Sequence, residues 1–162
     1  MTKQEKIMNS PHAQKAMKLF LEGYNCSQSV ILAFEEELGM DPKILAKISS
    51  SFGGGMGRLR EVCGSVSGMF MVAGLIYGYD DPKSLEDKTN HYKRIQELAE
   101  EFRQESGSIV CKDLLGVSGK ESYQPEKRTK EYYKKRPCKE LIGYAAACME
   151  EYLNEHPREE VK

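Results

Sequence analysis

From Val62 to Tyr79 the chain runs through 18 residues without a charge. Such a stretch must be kept from water, so it is either a membrane span or the interior of a folded domain. Its length only reaches the lower limit for a span, and Gly64, Gly68, Gly74, Gly78, Ser65 and Ser67 dilute it. With 30% of the chain charged, we read this segment as a buried helix and expect no membrane span. Glycine costs a helix roughly 1 kcal/mol against alanine. Four of them imply that another helix backbone approaches closely, as small residues four apart allow. A chain of this size leaves part of an all-round apolar helix uncovered, and a homodimer is the simplest cover.

Helix boundaries are well marked around this segment. Ser10-Pro11, Asp41-Pro42 and Asp81-Pro82 each put a capping oxygen before a proline at the first helical position. Asn25 with Gln28 reads as a capping box, and Ser108 reads as a cap for the helix containing Cys111. Gly23, Gly39, Gly107 and Gly116 read as stops. Between these signals, apolar residues recur at helical spacing, as in Ala13, Ala16, Met17 and Phe20, or Leu141, Ile142, Ala145, Met149 and Tyr152. No alternating strand pattern competes. The expected architecture is all-α, one domain over residues 1–162, with about seven helices near 11–22, 26–38, 42–51, 62–78, 82–106, 109–115 and 137–155 packed around the central glycine-rich one. A polar, basic connection near 117–136 joins the last two.

The 24 basic and 25 acidic residues leave a net charge of −1, which gives no reason to expect nucleic acid as a partner. Met1 to Tyr24 mixes Lys, Glu, Gln and His without an apolar run, so it does not read as a secretory signal. The expectation is a cytoplasmic protein with reduced thiols. Within 127–136, Lys127, Arg128, Lys130, Lys134, Lys135 and Arg136 flank Tyr132 and Tyr133. A basic aromatic segment can hold bases or phosphate, but we read it as a solvated surface segment.

Four of the five cysteines fall in the expected first turn of a helix: Cys26 after Asn25, Cys63 at the head of the uncharged run, Cys111 after Ser108, and Cys138 after Pro137. Helix N-termini favour thiolates. Gly53-Gly54-Gly55-Met56-Gly57 reads as a turn carrying Arg58 and Arg60 round to Cys63, which would make Cys63 the most activated thiol; an anion nest in that turn is the alternative. Cys148, in mid-helix between Ala145 and Met149, reads as packing. If the four helix starts converge, they suit a thiol pair, a disulfide-exchange centre, or a four-thiolate site for zinc or an iron–sulfur cluster. Otherwise they are buried small hydrophobes. Spacing alone favours the packing reading, because there is no Cys-x-x-Cys pair and no local metal knuckle. Gly116-Val117-Ser118-Gly119-Lys120-Glu121 lacks the spacing of a phosphate loop. His12, His91 and His156 are too scattered to support a histidine-based site.

At these residues the chain resembles a bacterial and archaeal family of redox-active proteins marked by four cysteines and a Cys-Gly-Ala-x-x-Gly core. Asn25-Cys26-Ser27-Gln28-Ser29-Val30 is similar to its first motif, Phe52 to Gly57 to its glycine segment, and Cys63 to Gly68 to its core, with Ser65 where the core has alanine. Gly107-Ser108 leading to Cys111 and Leu114-Leu115-Gly116 meets the third motif, and Cys138 supplies the fourth cysteine. The resemblance implies that Cys26, Cys63, Cys111 and Cys138 converge in one redox or metal centre serving an unidentified electron or thiol partner. It does not choose between thiol–disulfide transfer and a soft metal or iron–sulfur cluster.

Overall fold

The computed structural model describes residues 1–158. It is all-helical, with ten helices: α1 Lys3–Met8, α2 Pro11–Leu21, α3 Cys26–Ala33, α4 Glu35–Leu38, α5 Pro42–Ser49, α6 Gly64–Tyr77, α7 Leu85–Ser106, α8 Cys111–Leu115, α9 Lys130–Lys135 and α10 Cys138–Glu155. Among the described residues there is no strand beyond one isolated bridge, Val62 to Val110. The segment Gly53–Met56 forms a tight turn in which Gly54 and Gly55 take positive φ. No helix among the described residues is long and apolar enough to cross a membrane.

The caps explain where most helices begin. Ser10 Oγ accepts the Ala13 N–H at 3.0 Å, and Asp41 accepts that of Lys43 at 2.9 Å. Asn25 and Gln28 exchange hydrogen bonds at 2.9 and 3.0 Å, satisfying two donors that the first turn of α3 would otherwise leave free. Two expected starts are displaced. Asp81 accepts from Lys83 and closes a turn, while Ser84 caps α7 by accepting from Asp87 at 3.2 Å. Ser108 accepts from Val110 and donates to Asp113, so α8 begins later, at Cys111 itself. The single helix expected over 26–38 is broken at Phe34, whose ψ of 17° separates α3 from α4.

The count of about seven helices is therefore low, because α1 and α9 carry little apolar periodicity and α3 and α4 are split. The glycine-rich helix is also not the sole centre. Its far end is partly open, with Leu75 44% exposed, whereas α10 is buried without a break from Leu141 to Met149. The core lies where α3, α6 and α10 meet, with α2 laid across α3 and α10. Gly68 shows what the glycines of α6 allow. A Cβ at Gly68 would stand 2.8 Å from the Ser27 carbonyl oxygen and 2.9 Å from Val30 Cβ. The helix it admits is α3 of the same chain.

Candidate functional site

Four of the five thiols line one cavity of about 70 Å³: those of Cys26, Cys63, Cys111 and Cys138. Each is delivered by a different helix start. Cys26 is the first residue of α3, seated by the Asn25 capping box. Asn25 is itself anchored, donating from Nδ2 to the Ser50 carbonyl at 3.1 Å. Cys63 flanks α6 and donates its backbone N–H to Ile109 O at 2.8 Å. Cys111 opens α8, its N–H held by Glu61 O at 2.5 Å. These two bonds clasp 61–63 against 109–111, so Cys63 and Cys111 are fixed by one short antiparallel contact. Cys138 opens α10 directly after Pro137. Cys63 and Cys111 are buried, and Cys26 and Cys138 are half-buried. Cys148 is fully buried in the middle of α10, away from the cavity.

The electrostatics differ from the sequence expectation. Burial, followed by the charge a neighbouring Cys26 thiolate would carry, pushes the Cys63 thiol up to about 12; hydrogen bonds from Ser65 and Val66 at the head of α6 offset only part of this. Desolvation outweighs the helix terminus here. Cys138 is also pushed up to about 12, by burial and then by Cys26, Cys63 and Cys111. Burial raises Cys111 too, with Arg60 pulling the other way.

The glycine turn does carry an arginine inward, but to a different thiol. Arg60 adopts a positive φ of 61°, a backbone state uncommon outside glycine and typical of sites held by their surroundings. Its guanidinium is buried, with Nη1 3.6 Å from Cys111 Sγ and Nε 2.7 Å from Glu121 Oε1. Arg58 turns away and donates to Ser122 O at 2.6 Å. The two arginines therefore do not flank Cys63.

The basic segment is not wholly a solvated surface either. Arg128 donates to Phe20 O and Tyr24 O at 2.7 and 2.9 Å and lies over the Phe20 ring at 4.1 Å. Arg136 pairs with Glu126 at 2.5 Å. Both arginines and Tyr132 line the cysteine cavity, while Lys127, Lys130, Lys134 and Lys135 remain exposed. Residues 117–136 thus form a strap across the cavity. The sequence does not mark Arg128 as a site residue because its partners, Phe20 and Tyr24, lie far away along the chain; Arg136 pairs with Glu126 within its own segment, and the interleaved tyrosines are the available signal there.

The donor set is chemically suited to a soft metal. As arranged, however, no three Cys, His, Asp or Glu side chains among the described residues form a group that could hold one ion.

Fold and site together define an all-α protein with four helix-start thiols gathered around a strapped cavity. Residues 24–152 match the family described as "Putative redox-active protein (C_GCAxxG_C_C)", and the chain belongs to it. Neither a curated relative nor a solved structure matches the chain.

Proposed function

We propose that this protein is a thiol–disulfide or electron carrier in which the four-cysteine cavity is the working centre. The observation carrying this reading is the shared cavity of Cys26, Cys63, Cys111 and Cys138, from which Cys148 is excluded. Two thiols in such a setting can give up two electrons and two protons as they join, reducing the disulfide of a partner to its two thiols. Half-buried Cys26 is the thiol that meets that partner. Cys63, Cys111 and Cys138, whose protonated forms burial favours, resolve the mixed disulfide. Cys63 is thus a resolving thiol rather than the most activated one, in keeping with the burial that favours its protonated form.

The test is to purify the protein without oxygen, record its visible spectrum and metal content, and count free thiols before and after mild oxidation. A colourless sample that loses thiols in pairs drawn from these four cysteines is the expected result. A brown sample containing iron and sulfide, or a stoichiometric zinc, would replace the carrier with the alternative, a module holding a soft metal or cluster through the same thiols. A carrier with free thiols belongs in a reducing compartment such as the cytoplasm.

We also propose a homodimer through the face formed by Ile48, Phe52, Met71, Gly74 and Leu75. Ile48 and Leu75 are 56% and 44% exposed, and Gly74 has nothing within 4 Å of where a side chain would start. An apolar face of this kind fits a second copy. Sedimentation as a monomer at high concentration would remove this proposal.

A further inference from the structure

The strap over the cysteine cavity has two unlike faces. Tyr132 and Arg136 line the cavity, and Tyr133 sets its ring edge-on to Phe20 at 5.8 Å. Successive helical positions turn by about 100°, so these three share one side of α9, and Lys130, Glu131, Lys134 and Lys135 are left on the other. The arginines of the segment have fixed partners, Arg128 in two backbone carbonyls and Arg136 in Glu126. The lysines do not. Lys127, Lys130, Lys134 and Lys135 are all exposed, and the lysine ion pairs among the described residues belong to Lys3, Lys6, Lys15 and Lys93. Charge is also divided unevenly along the chain. Residues 117–136 hold seven basic and three acidic side chains, a net +4 in a chain whose net charge is −1, which leaves −5 on the remainder.

A face of this kind meets an anionic surface, and the strap itself narrows the choice. Nucleic acid would use the tyrosines as stacking platforms, but Tyr132 and Tyr133 are half-buried and turned inward. A lipid surface is met by apolar side chains set beside the basic ones, and the outer side of α9 carries none. What lies beneath is a set of thiols. Half-buried Cys26 stands two residues after Tyr24, whose carbonyl holds Arg128 and so ties the strap beside it. A partner that exchanges with Cys26 must therefore bring its own disulfide up to a positively charged surface.

We infer that Lys127, Lys130, Lys134 and Lys135 form the docking face for a protein partner whose disulfide is bordered by carboxylates. Opposite charge across such a contact speeds the encounter and sets its orientation more than it adds affinity. Lysine suits that task, because a hydrated ammonium on a flexible stem attracts a carboxylate without demanding the planar geometry of an arginine pair. A carrier must also release its partner after each exchange, which a contact made of exposed charges allows. This inference rests on the carrier reading of the four cysteines and adds to it the chemistry of the partner.

The test uses the full-length, reduced protein without oxygen, and synthetic peptides of equal length whose disulfide is flanked by Glu, by Gln or by Lys. Release of peptide thiol gives the rate of reduction. Fluorescence anisotropy of labelled, S-methylated copies gives binding independent of thiol chemistry. The Glu peptide should be reduced about tenfold faster than the Gln peptide at low ionic strength and bind better, with both differences vanishing in high salt. Replacing Lys127, Lys130, Lys134 and Lys135 together with Gln breaks no ion pair among the described residues, so the melting temperature should hold while the Glu peptide falls to the level of the Gln peptide. Replacing the exposed Lys43, Lys47, Lys83 and Lys93 with Gln removes the same net charge elsewhere and should leave the preference in place. Equal binding of the three peptides, or a preference that survives in the strap variant, would overturn the inference. So would tighter binding of a single-stranded DNA oligonucleotide or of phosphatidylserine vesicles, or a salt-reversible dimer that the strap variant abolishes. Reduction that ignores peptide charge removes only the docking face. Charge-selective binding with no reduction of any peptide removes the carrier and leaves an acidic protein as the occupant.

Discussion

Cys138 and Cys148 share α10, and burial pushes both thiols up to about 12. Their remaining causes differ. After burial, Cys138 is raised by Cys26, Cys63 and Cys111, whose charge vanishes on protonation or oxidation. Cys148 is raised after burial by Glu101, while a hydrogen bond from Tyr144 and the charge of Lys6 pull it down. The first set of neighbours changes with redox state and the second does not. Burial by itself therefore does not mark a functional thiol. What separates the two cysteines is whether their neighbours can themselves change charge.

The largest effect that could break this comparison is alkaline. A thiol raised in the folded state above its ordinary value near 9 stabilises the fold fully below pH 9, and that contribution is lost as pH rises toward 12. Stability measured by denaturant titration should therefore decline steeply from about pH 9 upward. Cys26→Ala should lower the titration points of Cys63 and Cys138 and leave that of Cys148 in place. An equal response of Cys148 would erase the distinction.

Gly64→Ala comes next. Its added Cβ would overlap Cys26 Sγ and stand 2.8 Å from Phe52 O, so thermal denaturation should register a loss of ~2–3 kcal/mol. Alkylation of Cys26 should change in the same variant. Cys148→Ala should cost less, about 1 kcal/mol for a small cavity, and the pairwise loss of thiols on oxidation should be unaltered. Gly74→Ala is the smallest perturbation. With nothing within 4 Å, it should stabilise α6 by ~0.5–1 kcal/mol, in contrast to Gly64 on the same helix.

The helix class, the four helix-start thiols and the packing role of Cys148 were legible because caps and apolar spacing are local signals. Asn25 with Gln28 marked the start of α3 without help from any other segment. The glycines at 64 and 68 announced a close neighbour, but not that α3 would be that neighbour. Local reading failed where partners are distant. Arg60 was assigned to Cys63, its near neighbour in sequence, although it faces Cys111. The acidity of Cys63 was misjudged for a related reason: the helix terminus is visible in sequence, and the depth of burial that overrides it is not. Asp81 carried a valid cap signal, yet its carboxylate was taken by the turn at Lys83.

The strap across the cavity has a consequence for the order of folding. Its fastenings join residues 61 and 108 positions apart, Arg60 to Glu121 and Arg128 to Phe20, whereas α2 and α3 meet through neighbouring sequence. Long loops close late because their entropy must be overcome before their contacts form. The α2–α3 pair can therefore form before the strap is fastened and before α10 arrives from the far end of the chain to complete the core, while the cavity thiols are still open to solvent. Refolding in the presence of oxidant should trap mispaired disulfides at that stage, whereas refolding under reductant followed by oxidation should avoid them.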